Sequence, residues 1–471
     1  MSYILAVDQG THASRAAIID EHGAVVAQHL TPVTLTRPGL GRAEQDAEQI
    51  ADSIEQAIEQ VFQQLSPSQR AAVRCCGVAT QRSTVLAWRR NGTAVSAALS
   101  WQDTRGAPQL QHLRTRSEQI RKISGLPVSP HYGATKLHWL HQLTADDPET
   151  SLGPLSSFLL QRLTGEQTPS VDHCNAQRTQ LFDIQTLQWS PTLVDWFDIP
   201  PERLPICRPV SAEFGYLKRW DVPVRAMSGD QNAAWFAAGQ PAPGVASVNL
   251  GSGAFVLAEQ SGVAVIADLL SSIVYSDAHH CAYVAEGTVN GAGTALTWLE
   301  TERGIAGLQD RLPGWLEQVT EPPLFMNTVG GLGSPWWRAG VAPTFVDDCA
   351  TCDDASLAAA VAESIVFLLQ CNLDCIGARA RLRRLRVSGG LSRIAPVCQK
   401  LANLSGYPVE RPEDQEATLR GVAWLAAGRP GSWNGQESPT RFVPSADARL
   451  RDRYQRFVES LRRHLGEPTY E

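Results

Sequence analysis

Several features that chains of this size often carry are missing. No uninterrupted apolar run approaches the ~20 residues that a membrane-spanning helix needs. The N-terminus enters an apolar strand at residues 3–7, which leaves no room for a charged and then apolar leader. We therefore expect a cytoplasmic protein with no membrane partner. There is no basic block: 41 Lys and Arg face 48 Asp and Glu, for a net charge of −7. The Arg-rich stretch 441–463 interleaves acids with its arginines, so it reads as a solvated helix face and not as a nucleic-acid surface. Neither G-x-G-x-x-G nor G-x-x-x-x-G-K-[ST] occurs, which excludes Rossmann and P-loop phosphate sites. Ten cysteines are scattered without a disulfide framework. Cys349 and Cys352 form a C-x-x-C, but no second pair or His cluster stands at metal-site spacing.

What remains is an ordinary globular composition, 43% hydrophobic and 19% charged, over 471 residues, enough for two or more full cores. The most informative stretch is residues 226–255. Gly229, Asp230 and Gln231 open an Ala-rich segment that reads as a helix, and the run Gln240 to Gly244, with two prolines, breaks it. A strand at 246–250 follows and runs at once into Gly251, Ser252 and Gly253. Asp230 has two compatible readings, a helix N-cap or a general base that takes a proton from a hydroxyl, with Gln231 holding the same molecule. The G-x-G turn is either an ordinary hairpin or a loop whose N–H groups meet a phosphate.

The chain opens in a related way. A strand at 3–7 ends at Asp8, a turn at residues 9–12 follows, and strands at 14–19 and 24–28 complete the succession. The same order recurs at 247–250, 251–253, 254–259 and 263–266, which we read as a weak internal repeat of two domains, 1–240 and 241–471, whose Gly-rich tips face one nucleotide. Arg82 and Ser83 follow a buried strand at 74–80, and Trp101 and Asp103 follow another at 97–100, where α/β folds place ligands. Helices are expected at 43–65, 155–163, 357–373, 416–427 and 446–465. A strand at 385–387, Gly389 and Gly390, then a helix from about 395 make a second turn suited to phosphate.

Eleven segments in register resemble the FGGY family of carbohydrate kinases, and within it the glycerol kinases. They include AVDQGTHASR (6–15), TQRST (80–84), WQDTR (101–105), NAQRTQLFDI (175–184), SGDQNAAWF (228–236), LGSGAF (250–255), GGLGSPWW (330–337) and VSGGLS (387–392). The resemblance implies two ribonuclease-H-like domains of the actin/hexokinase-like ATPase kind around a nucleotide cleft. It implies transfer of the ATP γ-phosphoryl to a polyol or sugar, with Mg²⁺, in a homodimer or tetramer. Carried over by position, Asp230 is the catalytic base. Arg82, Ser83, Trp101, His131, Gln231 and Phe255 line the substrate pocket with it. Asp8 serves Mg²⁺, while Thr11, His12, Ser252, Gly293, Thr297 and Gly390 hold the nucleotide.

The chain departs from that pattern at informative places. Glycerol kinases follow the Arg of the TQRST-like motif with a Glu that binds glycerol hydroxyls, and here the position is Ser83. His131, with Tyr132 beside it, replaces a substrate-site Tyr, His12 replaces a Thr of the phosphate loop, and Thr297 replaces a Gln near the purine. A buried carboxylate paired with substrate hydroxyls contributes several kcal/mol of discrimination, so a larger polyol or a ketose is expected in place of glycerol. A catalytically weakened nucleotide and sugar sensor of the same fold is the alternative.

Overall fold

The computed structural model describes residues 1–263, 268–378, 380–413, 416–433 and 439–466. The first half is built on β1 Tyr3–Gln9, β2 Ala13–Asp20, β3 Val25–Pro32, β4 Val73–Thr80, the short β5 Tyr216–Leu217 and β6 Val222–Gly229, ordered β5-β6-β4-β1-β2-β3. The second is built on β7 Val245–Leu250, β8 Ala254–Gln260, β9 Leu270–Ser276, β10 Cys281–Val289, β11 Arg384–Ser388, β12 Val409–Arg411 and β13 Thr440–Phe442, ordered β9-β10-β8-β7-β11-β12-β13. In both sheets the first strand pairs antiparallel with the next and parallel with a later one. The repeat read from the sequence is therefore a repeat of topology. In the second half, residues 264–266 of the expected third strand lie outside the described residues; β10 pairs with β8, with β9 on its outer edge.

Among the helices, α1 Ala47–Gln63 starts at Asp46, whose side chain accepts from the N–H groups of Glu48 and Gln49. The others used below are α2 His173–Gln177, α3 Asp230–Ala234, α4 Gly293–Arg303, α5 Asp354–Gly377 and α6 Ala417–Ala426. The residues of β1 are all buried, because both faces of the first sheet are covered. Leu5 and Val7 pack with α1, while Ile4 and Ala6 share a core with α6 and with Leu257, Ile273 and Tyr283 of the second sheet. That shared apolar cluster joins the halves.

Helix α5 is long and apolar enough, by length and composition, to cross a membrane, with a mean hydropathy of 1.6 over its best window. Glu363, Ser364, Gln370 and Asn372 interrupt its apolar run, which is why no membrane span is expected there from the uninterrupted runs alone. It is a core helix, with 94% of that window buried. Buried Glu363 ties it to Lys400 (3.1 Å) and to Arg453. Arg453 lies on the terminal helix Ala448–Leu465, which buries Leu450, Phe457 and Leu461 on its inner face.

Two glycines set how closely α6 approaches its neighbours. A Cβ on Gly77 of β4 would stand 2.4 Å from the Val422 carbonyl oxygen, and one on Gly421 would stand 1.8 Å from the Ala233 carbonyl oxygen on α3. Backbone lies on backbone at both points, so a methyl group forces the elements apart. Gly421→Ala is expected to cost about 1–3 kcal/mol by overpacking, read as a lower urea midpoint at unchanged slope. Gly390→Ala, where the added Cβ meets nothing within 4 Å, is the control and should leave the midpoint unchanged.

Candidate functional site

Strand register brings the expected residues of the first half to one edge. β1 and β6 both run parallel to β4, with Asp8 and Ser228 opposite Ala79 and with Gln9 and Gly229 opposite Thr80. The carboxyl ends of three neighbouring strands therefore bring Asp8, Arg82 and Asp230 to the same edge of the sheet, the position where open parallel sheets bind ligands. Asp230 is the first residue of α3 and not its N-cap, which is Gly229. Its Oδ1 accepts from the Gln231 N–H at 2.7 Å, and its carboxylate stays about 30% exposed.

Arg82 gathers the pocket. Its Nε lies 3.8 Å from Asp230 Oδ1, its Nη2 donates to Gln231 Oε1 at 2.6 Å, and its Nη1 donates to Asn232 Oδ1 at 3.2 Å. The guanidinium stands over the Phe255 ring, 5.9 Å from its centroid. Trp101 meets His131 edge-on at 5.5 Å between centroids, and His131 meets Tyr132 in the same way. Burial, with Lys136, Arg178 and Arg82 nearby, pushes His131 down to about 3, so it is neutral at physiological pH. Lys136 is fully buried and donates to the Ser100 and His131 carbonyls, pinning the Trp101 and His131 segments together. Ser83, at φ 62°, is buried and donates its hydroxyl to the Arg178 carbonyl (3.3 Å). Asp103 is spent on structure, accepting from the Ala43 N–H and from Arg105.

Two carboxyl groups at this edge are shifted. Asp8 is pushed up to about 7, first by burial and then by the charge of Asp230, against Arg15 at 3.5 Å. Asp8 Oδ1 is buried with no hydrogen-bond partner among the described residues, and Glu416 also approaches Arg15 at 3.8 Å. Asp230 is raised by burial, with Arg82 pulling the other way. A buried oxygen without a partner, beside a second acid, suits a cation held there together with other ligands. No cluster of three or more His, Cys, Asp or Glu that could hold a metal by itself exists among the described residues. At Cys349 the thiol is pushed up by burial and by Cys352.

The turn carrying Thr11 is held by buried amides. Gln81 Nε2 donates to Gln9 Oε1 (3.0 Å) and Gln45 Oε1 (2.8 Å), Gln45 Nε2 donates to the Thr11 carbonyl (2.9 Å), and Gln9 Nε2 donates to the Gly10 carbonyl (2.7 Å). The Trp101 indole N–H donates to Thr11 Oγ1 at 2.9 Å, linking the pocket to this turn. His12 is exposed beside it.

The second half assembles its own glycine edge. β7 and β11 run parallel with Asn249 opposite Ser388, so the tips at 251–253 and 389–390 leave the sheet together. The start of α4 folds onto the first tip: the N–H of Gly293 donates to the Gly251 carbonyl, and that of Thr294 to the Ser252 carbonyl, both at 3.0 Å. Ser252, Thr297 and Gly390 are exposed around this edge, with the Thr297 hydroxyl bonded back to the Gly293 carbonyl. A separate cavity of about 560 Å³, lined by Gln240, Tyr275, Trp424 and Arg429 among others, contains none of the expected site residues.

Sequence reasoning missed Glu286, Arg178 and Lys136 as members of the site, together with the amide network. The available signal was an acid inside the apolar strand 281–289, since such a group is almost never buried without a partner.

Residues 3–237 match the N-terminal domain, and residues 246–429 the C-terminal domain, of the FGGY family of carbohydrate kinases. A glycerol kinase of Xanthobacter autotrophicus is 33% identical over 94% of this chain and 95% of its own length. One from Geobacter is 30% identical over 99% of both. Among solved structures, Plasmodium falciparum glycerol kinase with ADP superposes with a TM-score of 0.87 at 23% identity, over 99% of this chain and 98% of that one. Ligand-bound xylulose kinase from Lactobacillus acidophilus superposes with a TM-score of 0.84 at 20% identity over 99% of both chains. These last two likenesses speak for the fold.

Gln81→Leu is expected to strip the Gln9 and Gln45 Oε1 atoms of the Gln81 donor and the Thr84 hydroxyl of its acceptor, and to cost about 1–3 kcal/mol. Faster hydrogen exchange confined to residues 9–12 should accompany the loss of stability. Protection unchanged there would show that the amide network does not hold the turn.

Proposed function

The chain belongs to the FGGY family of carbohydrate kinases, and from that premise we propose that it transfers the γ-phosphoryl group of ATP to a hydroxyl of a small polyol or sugar. The observation that carries this reading is the placement of Asp230, Arg82 and Asp8 at one edge, at the ends of three parallel strands, with the Asp230 carboxyl raised. Asp230 is the base. Ionised, it accepts the proton of the attacking hydroxyl, and its raised affinity for that proton suits the task better than an ordinary surface Asp does. Gln231, beside it, orients the same hydroxyl-bearing molecule, while Trp101 and Phe255 supply apolar faces for its carbon skeleton.

The nucleotide lies along the glycine tips of the second half, and a glycerol kinase of the same fold, from Plasmodium falciparum, was solved with ADP. Open space at Gly390 and exposed Ser252 support this placement. Thr11, on its turn held by amides, meets the terminal phosphate. Asp8 holds Mg²⁺, which when bound neutralises the phosphate oxygens. Phosphoryl transfer needs positioning and charge compensation more than covalent help, so backbone donors and one base suffice. No observation favours the sensor alternative. Residues 1–240 and 241–471 are the two lobes of this enzyme, which acts in the cytoplasm.

The acceptor is a polyol or ketose larger than glycerol. Ser83 supports this, because the position carries no carboxylate and its hydroxyl is committed to the Arg178 carbonyl. A panel of polyols and ketoses with ADP release as readout tests the choice, and turnover with glycerol alone would reject it.

Asp230→Asn is expected to lower kcat by about 10²–10⁴-fold while nucleotide binding persists. Because the base works deprotonated, kcat/KM should rise with pH through the folded-state pKa of Asp230. That limb is expected above the ordinary Asp value of about 3.9 and absent from the Asn variant. An unchanged limb in Asp230→Asn would remove Asp230 as the base.

A further inference from the structure

Glu286 is fully buried in the middle of β10, opposite Leu257 of β8. Its Oε1 accepts from Arg82 Nη2 at 2.9 Å, and its Oε2 accepts from Arg82 Nη1 at 3.1 Å, from Ser272 Oγ at 2.8 Å and from Arg178 Nη2. Arg178 Nη2 also donates to Ser272 Oγ at 2.7 Å. Both arginines belong to the first half of the chain, and Glu286 and Ser272 to the second. Burial works to raise the Glu286 carboxyl, but Arg178 and Arg82 hold it down at about 2, so it is ionised at every working pH.

The donors of Arg82 can be counted. A guanidinium has five N–H bonds in a fixed plane. The two on Nη1 go to Glu286 Oε2 and Asn232 Oδ1, and the two on Nη2 go to Glu286 Oε1 and Gln231 Oε1. Only Nε–H remains, 3.8 Å from Asp230 Oδ1. Arg82 therefore has one N–H left for an incoming hydroxyl. Its other four bonds fix the plane of its own fork and the direction of the Gln231 amide.

We propose that Glu286, with Arg178 behind it, is a positioning residue for the acceptor substrate: the bidentate grip from the second half sets the Arg82 plane, and through it the attitude of Gln231 and Asp230 in the first half. The proposal rests on the phosphotransferase reading. It makes acceptor affinity depend on a residue that touches no substrate and comes from the opposite lobe. Nucleotide affinity, governed by the glycine tips, is independent of it.

The test uses Glu286→Gln, the double variant Glu286→Gln/Arg178→Met, which restores charge balance, and Ser272→Ala, which removes one hydroxyl. The wild-type enzyme is assayed first against the polyol and ketose panel with ATP. Expected is a rise of at least about tenfold in acceptor KM for both Glu286 variants, with ATP KM within about threefold of wild type, the pattern of lost ground-state alignment. The double variant should regain most of the thermal stability lost by the single one while its acceptor KM stays high, and Ser272→Ala should raise acceptor KM by about threefold. If acceptor KM returns to the wild-type value together with stability in the double variant, or is unmoved in Ser272→Ala, the cluster is structural and the proposal fails. A wild-type chain inert toward the whole panel would overturn the phosphotransferase reading and this inference with it. An active wild type with unmoved KM values overturns this inference alone.

Discussion

The register of three parallel strands governs the site. β1, β4 and β6 are hydrogen-bonded so that Asp8, Ala79 and Ser228 stand side by side. Shifting any of them by one residue would turn its side chains to the other face of the sheet and break the edge where Asp8, Arg82 and Asp230 emerge. Small residues make that register compatible with close cover: Ala6, Gly77, Ala79 and Ala226 let α6 lie against the sheet. The apolar cluster below the edge is thus both the joint between the halves and the base on which the charged groups stand.

Above that base the charges are compensated one by one. Glu286 answers Arg82 and Arg178, Arg15 answers Asp8 and Glu416, and Lys136 is spent on carbonyls. Buried ion pairs contribute little net stability, because desolvation offsets their attraction, yet breaking one leaves an expensive unpaired charge. The value of such pairs lies in geometry: a bidentate carboxylate fixes a guanidinium plane in a way that solvent cannot. Asp230 is the exception. It keeps a distance of 3.8 Å from Arg82 and an exposed face, and so remains basic. A tighter ion pair would stabilise its charge and weaken it as a proton acceptor.

Much of this was legible in the sequence. Strand, Gly turn, strand at the start of each half has a short-range signature, and the sheets bear it out. The helices at 47–63 and 354–377 follow from periodicity. What the sequence concealed depends on contacts across hundreds of residues. Nothing local indicates that β10 pairs with β8, because strand choice there is decided by packing. Arg178 reads as one polar residue among five, and Glu286 as an anomaly in an apolar strand, until the fold places them 108 positions apart on one hydrogen bond. Asp103 shows the opposite case, since a polar residue at a strand end looked suited to ligand and turned out to anchor a loop.

At Gly421 helix α6 meets α3 backbone on backbone, and beside that contact the Thr418 hydroxyl donates to the Asp230 carbonyl (3.4 Å). Where Gly421 lies on the Ala233 carbonyl, the spacing is set by hydrogen atoms and a peptide plane alone. The mechanical tolerance at the proposed base is therefore inherited from the smallest residue in the repertoire, located almost two hundred positions away in the chain. Since a misplacement of about 1 Å can cost about 10²-fold in rate, the position of Asp230, and with it the proposed proton transfer, is calibrated by an absence of atoms as much as by the groups that surround it.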